Sequence, residues 1–303
     1  MKKVLAIIWL GLLAAGCGGE KKETPSAQDE GRLTVAAVNY PLAYFAGRIG
    51  GDLVKVVYPV PGDVDPAFWN PSPEDVVAFQ AADLVLLNGA TYAKWVPKAT
   101  LSANKMLNTS ASFADRYITI EGAATHAHGP GGEHAHTGTA FTTWLDFTQA
   151  AAQAEEVRAA FTVRRPQHAA TFAANFTALE EDLLELDGQL TALTAGKGDR
   201  PIVASHPVYQ YLARRYGLNL KAVMWEPIIV PAGSLWRELA AVLATHSARW
   251  MIWEDEPATI SVGRLEEMGV KSLIFEPCMN KPESGDFMSV MRANVKALGA
   301  AYQ

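Results

Sequence analysis

Four of the seven histidines fall in one short stretch: His126 and His128, then Gly-Pro-Gly-Gly, then Glu133 with His134 and His136. The surrounding segment, 123–139, has no apolar periodicity and is rich in glycine, so it cannot be core. Neutral imidazole is a favoured transition-metal ligand, and histidines clustered in a Gly-rich loop make a metal-catching composition. Their spacing defines no single closed site. Three further candidates stand singly, each just after a strand-like run: His206 after 202–205, Glu254 after 250–253 and Glu276 after 272–275. In open α/β sheets, ligands bind beyond the carboxyl ends of the strands, so three such residues at equivalent positions read as a site. The corresponding loops of the first half offer Asn39, Tyr40, Asp65 and Trp69.

These residues need elements to hold them. The most regular is the stretch 166–193, where Phe172, Phe176, Leu179, Leu183, Leu186, Leu190 and Leu193 recur in alternating steps of four and three. That spacing keeps all seven on one helical face. Glu180, Glu181, Asp182, Glu185 and Asp187 form the solvated opposite face. Pro166 suits the first turn, and Gly196 with Gly198 suits the stop. At 1.5 Å per residue the helix is roughly 40 Å long, the span of a domain. Strand and helix patterns alternate on both sides of it: strands at 33–38, 54–60, 83–88 and 106–108 before it, and at 202–205, 222–225, 250–253 and 272–275 after it. Trp95 and Val96 read as helical. Such alternation predicts parallel sheets with right-handed crossovers. The expected class is therefore α/β: an N-terminal lobe over 32–165 carrying the loop 123–139, a linking helix over 166–195, and a C-terminal lobe over 196–303.

A length of 303 residues, 49% hydrophobic and 19% charged, fits a soluble globular protein of two ordinary domains. The net charge of -6 and the absence of any basic block argue against nucleic acid as a partner. No serine nucleophile elbow, phosphate loop or paired-histidine helix motif is present, so no enzyme class is indicated. Residues 1–17 are not part of the fold. Lys2 and Lys3, an apolar run too short to span a bilayer, and Ala14-Ala15-Gly16-Cys17 make a secretory signal. The cysteine after small residues resembles a bacterial lipobox, which implies lipidation of Cys17, a flexible tether over 18–31 and a membrane-anchored lipoprotein facing the periplasm or exterior. Only Cys278 then remains, so no internal disulfide can form in the mature chain.

Two ligand chemistries follow from the residues. One is a divalent transition metal held among His206, Glu254 and Glu276, with Asp65 or a loop histidine. The other is an organic or cationic solute stacked on Trp69, Trp144 and Trp225, with Glu276 as counter-charge. A soft metal on Cys278 and Met279 is a third, weaker reading.

The chain carries the motifs Tyr40-Pro41-Leu42, Ile49-Gly50-Gly51, Pro61-Gly62-Asp63-Val64-Asp65-Pro66, Pro71-Ser72-Pro73-Glu74-Asp75 and Asn88-Gly89. Further motifs are Trp144-Leu145-Asp146, Ser205-His206-Pro207 with Tyr211, Arg215-Tyr216-Gly217 and Glu276-Pro277. With these motifs, nearly the whole mature chain resembles the cluster A-I solute-binding proteins, the zinc and manganese receptors of ABC importers. The resemblance implies two lobes, a rigid spanning helix, a cleft metal site with zinc as the first choice and manganese or another divalent metal next, a permease partner and a monomeric receptor. It also aligns His206 and Glu276 with two of the family's four ligands. The other two positions depart from the pattern, being Ala67 and Thr142 here, and neither is a useful zinc ligand.

Overall fold

The structure is a computed structural model. It describes residues 31–120 and 138–303, and the backbone alone of two short strands at 125–127 and 133–135. Cys17, His128 and His136 lie outside the described residues.

Two four-stranded parallel sheets carry the architecture. The first comprises β1 (Leu33–Ala37), β2 (Val54–Val57), β3 (Leu84–Leu87) and β4 (Met106–Asn108), in the order β2-β1-β3-β4. Two short two-stranded antiparallel elements follow in the chain: β5 (Thr119–Ile120) pairs with β8 (Gly138–Thr139), and β6 (Thr125–Ala127) with β7 (Glu133–Ala135). The second sheet comprises β9 (Pro201–Ala204), β10 (Asn219–Ala222), β11 (Trp250–Trp253) and β12 (Lys271–Ile274), in the order β10-β9-β11-β12. The same strand order in both halves gives two equivalent lobes, as the alternating pattern predicted. Arg32–Gln303 form one compact unit holding both.

Local chemistry sets the helices of the first lobe. In α1 (Tyr40–Gly50) the Asn39 side chain accepts from the Leu42 amide, so Asn39 is a helix cap. Before α2 (Pro73–Ala81), Ser72 and Asp75 form a reciprocal capping box with proline in the first turn. Asn88-Gly89 follows β3. Gly89 has φ +76°, and a Cβ there would overlap Ser110 Oγ and the Asn108 side chain. Gly89→Ala combines that overlap with a left-handed backbone, so it is expected to cost more than about 1 kcal/mol in a denaturant titration.

The spanning helix is α4 (Ala169–Thr194), preceded by a 3-10 turn over Pro166–His168. Its 26 residues make a rod of about 39 Å. Phe172, Leu179, Leu183, Leu186 and Leu190 are buried, while Phe176 and Leu193 are half-buried at the margins of the stripe. The rod packs on α3 (Phe147–Arg164) and α1 on the first-lobe side, and on α8 (Phe287–Tyr302) and α5 (Gln210–Tyr216) on the other. Its Asp182 takes Arg48 of α1 on one oxygen and Arg292 of α8 on the other, both at 2.8 Å. One hydrophobic cluster runs from the first lobe through the rod to one face of the second sheet, including Ile202, Ala204 and Ile252. A smaller cluster covers the other face, with Val203, Met251, Trp253 and residues of α6 (Gly233–Thr245) and α7 (Thr259–Glu267). The split between alternate residues follows the two-residue period of a strand.

Three expectations needed correction. Strand β10 is 219–222 rather than 222–225: Val223 and Trp225 are buried core residues, but they sit in the irregular chain after the strand. Their amides bond Ala204 and Ser205 carbonyls. Strand β2 stops at Val57, ahead of the Pro59 and Pro61 that lack an amide for the ladder. Trp95 precedes only a 3-10 turn, Val96–Lys98, which Pro97 keeps from lengthening.

Candidate metal-binding cleft

Strands β9, β11 and β12 are neighbours and run parallel, so the chain leaves them all at one edge of the sheet. His206 comes two residues after β9, Glu254 one after β11 and Glu276 two after β12. At roughly 4.8 Å between strands, the three side chains emerge close together. All three line a cleft of about 630 Å³ whose opposite wall is the first-lobe loop 62–66 and Phe141. Asp65 is on that wall, where its carboxylate also accepts the Ala67 amide at 2.8 Å.

His206 is fully buried. Its Nδ1 is 3.4 Å from the Trp225 carbonyl oxygen and 3.5 Å from Glu254 Oε1. Both neighbours are acceptors, so a proton on Nδ1 satisfies them, and that tautomer leaves the Nε2 lone pair for a ligand. An imidazole backed by a carboxylate is oriented and made more basic, the arrangement that supports metal-ligating histidines. Glu254, a candidate ligand from the sequence, thus sits against His206 Nδ1 while also lining the cleft.

Glu276 is held through its backbone: its amide donates to Asn294 Oδ1 at 3.0 Å and its carbonyl accepts Asn294 Nδ2 at 2.7 Å. Burial, reinforced by Asp255, pushes its carboxyl from an ordinary 4.5 up to about 7. The folded protein therefore holds a proton on Glu276 that the unfolded chain gives up between pH 4.5 and 7. The group favours folding most below that window, and the contribution is lost as pH rises through it. In metal-free protein, Glu276→Gln is expected to remove this decline, so its Tm gains on wild type as pH goes from 5 to 8. An unchanged slope would show that Glu276 is not the titrating group.

The cleft is strongly acidic. Asp63, Asp65, Glu226, Glu254, Asp255, Glu276 and Glu283 line it against a single lysine, Lys281. A concave surface of one sign concentrates the opposite charge, here cations.

The tryptophans are elsewhere, which corrects their reading as stacking platforms. Trp69 is packed in the first lobe against Phe79 and Trp95. Trp225 lies against Trp236 and Trp253 in the second-lobe core. Trp144 is fully buried at the lobe junction and donates from Nε1 to the Pro277 carbonyl at 2.8 Å. None of the three lines the cleft. They are large apolar residues spent on packing, the commoner use of tryptophan. Cys278 and Met279 do line it, but the Cys278 thiol is buried and pushed well up by that burial, so it is not a ready thiolate.

Ala67 and Thr142 are both buried, and the Thr142 hydroxyl donates to the Val208 carbonyl across the lobes. Neither offers a ligand. Among the described residues no three His, Cys, Asp or Glu side chains are grouped closely enough to hold a metal ion. In the loop 123–139 the backbone pairs His126 with His134 in antiparallel register.

The chain matches the family model described as zinc-uptake complex component A, periplasmic (ZnuA), over residues 35–301. It belongs to that family. Among curated ZnuA-family relatives, the zinc-binding lipoprotein AdcA of Streptococcus pneumoniae is 25% identical over 98% of this chain and 60% of its own length. The chain thus spans about three fifths of the AdcA proteins it matches. The high-affinity zinc uptake system protein ZnuA of Bacillus subtilis is 24% identical over 95% of this chain and 93% of its own. The crystal structure of the metal-dependent lipoprotein YcdH from Bacillus subtilis superposes with a TM-score of 0.76 at 20% identity, covering 90% of this chain and all of that one. This likeness shows the ZnuA-type fold: two lobes of parallel sheet flanked by helices, with one long helix between them.

Proposed function

We propose that this chain is the solute-binding lipoprotein of an ABC importer, and that it captures a divalent transition metal, zinc first, in the interlobe cleft for delivery to a membrane permease. The observation that carries this reading is the placement of His206 and Glu276 on one acidic cleft, with Glu254 behind the imidazole. Family membership and the zinc named for the relatives support it.

Four-coordinate zinc takes nitrogen and oxygen donors, and water can be one of them. His206 Nε2 and a Glu276 carboxylate oxygen supply two. Asp65 on the facing wall, a loop histidine among His126, His128, His134 and His136, or water supplies the rest. Charge from the remaining carboxylates favours entry of the cation, and the rigid α4 limits release to small changes in lobe geometry. Cys17 anchors the mature chain to the membrane by its lipid, the segment 18–31 is a tether, and the receptor acts as a monomer.

Elemental analysis of purified protein, followed by zinc and manganese titrations of wild type and of a variant lacking 123–139, tests the reading. One tightly held zinc per chain is expected, weakened by the deletion if the loop completes the ligand set. Binding of organic cations with no response to either metal would overturn it. Glu254→Gln is expected to lower zinc affinity by roughly 10–100-fold through loss of the carboxylate behind His206. Zinc competition against a chelating dye reads this, and an unaltered affinity would remove Glu254 from the account.

A further inference from the structure

The segment that follows Glu276 belongs to the second lobe in sequence but is bonded to the first. The Pro277 carbonyl accepts Trp144 Nε1, and the Met279 carbonyl accepts the Tyr40 amide at 3.0 Å. Asn280 then uses its whole side chain across the boundary. Its Oδ1 accepts the Tyr58 hydroxyl at 2.8 Å, and its Nδ2 donates to the Pro61 carbonyl at 2.6 Å and the Val64 carbonyl at 2.8 Å. The same Oδ1 also takes the Lys281 amide at 2.7 Å. Only a primary amide offers two donors and an acceptor in this geometry; a carboxylate would face two carbonyl oxygens with no proton to give.

The two carbonyls bracket Gly62 and Asp63, the turn that leads into Asp65. One stretch of chain therefore places Glu276 on one wall of the cleft and, four residues later, fixes the loop that places Asp65 on the other. Cys278, between them, is buried with φ +56°, a left-handed conformation that non-glycine residues adopt when their surroundings enforce it. Hydrogen bonds on both sides of it supply that constraint.

We propose that Asn280 is a positioning residue of the cleft: it sets the distance between the Glu276 and Asp65 walls, and so governs how fast a bound divalent cation leaves. This rests on the cation-binding reading. Asn280 itself need not touch the cation; it acts through the 61–66 loop.

Asn280→Ala and Asn280→Asp are compared with Trp144→Phe, which breaks the adjacent cross-lobe bond at Pro277 but leaves the 61–66 loop tied. Zinc release is followed by stopped flow into excess chelator, and amide hydrogen exchange over 61–67 is measured on metal-free protein. Both Asn280 variants are expected to release zinc about tenfold or more faster, as for loss of an outer-shell support, with faster exchange in 61–67. Trp144→Phe is expected to show neither change. Equal acceleration in all three variants would reduce Asn280 to general lobe adhesion, and unaltered release in the Asn280 variants would overturn the proposal. If wild-type protein binds no zinc, the transport reading fails by itself; unaltered exchange in 61–67 would then independently contradict the positioning role.

Discussion

His206→Ala is expected to abolish high-affinity zinc binding, with a loss larger than the roughly 10–100-fold that follows removal of a mere supporting partner. The reason is the economy of the site. Ala67 and Thr142 contribute no ligand, and among the described residues His206 is the one histidine that lines the cleft. Asp65 and Glu276 can hold a hard cation by oxygen, but they cannot replace a borderline-soft nitrogen donor. His206→Ala is therefore expected to shift preference from zinc towards manganese as it weakens zinc. His206→Gln keeps more of the volume beside Trp225 and separates lost coordination from lost packing. Calorimetric titration with zinc and manganese checks both variants. Undiminished zinc affinity in His206→Ala would mean the metal binds elsewhere, with the loop 123–139 the first place to look.

Trp144→Ala is expected to lower the stability of the fold by about 3–5 kcal/mol, the range for deleting a buried aromatic side chain. Trp144 is fully buried, packs edge-on against Tyr92 and gives its indole proton to Pro277 of the opposite lobe. Its loss opens a cavity at the junction and orphans a carbonyl. Trp144→Phe keeps most of the ring and forfeits only the hydrogen bond, so its cost is about 1–2 kcal/mol. Denaturant titration of metal-free protein measures both. A cost for Trp144→Ala as small as that for an exposed residue would show that the junction is not close-packed. The neighbouring motif residues serve the same seam: the Tyr211 hydroxyl donates to the Ala140 carbonyl, and Arg215 makes a two-pronged contact with Asp187 of the rod.

Much of this was legible in the residues. The four-and-three spacing from Phe172 to Leu190 specified one buried helical face, because that period belongs to a helix and to nothing else. Ser72-Pro73-Glu74-Asp75 gave the start of α2 because a cap is a local interaction. His206, Glu254 and Glu276 were found together because the carboxyl edge of a parallel sheet is a topological place, readable from strand order. The tryptophans misled, since an aromatic residue looks the same in sequence whether it lines a cleft or fills a lobe. The division of labour between His206 and Glu254 was not legible either: both sit at strand ends, and only the 3.5 Å separation at Nδ1 puts one behind the other. Asn280 carried no signal, because its partners Tyr58, Pro61 and Val64 are more than 200 residues away and two of the contacts are to backbone.

The most direct test of the central claim is anomalous diffraction at the zinc absorption edge from crystals of the zinc-loaded protein. The account predicts one strong peak in the cleft, about 2.0–2.2 Å from His206 Nε2 and from a Glu276 carboxylate oxygen. A peak confined to other residues, or a cleft without one in protein that carries zinc, would contradict it.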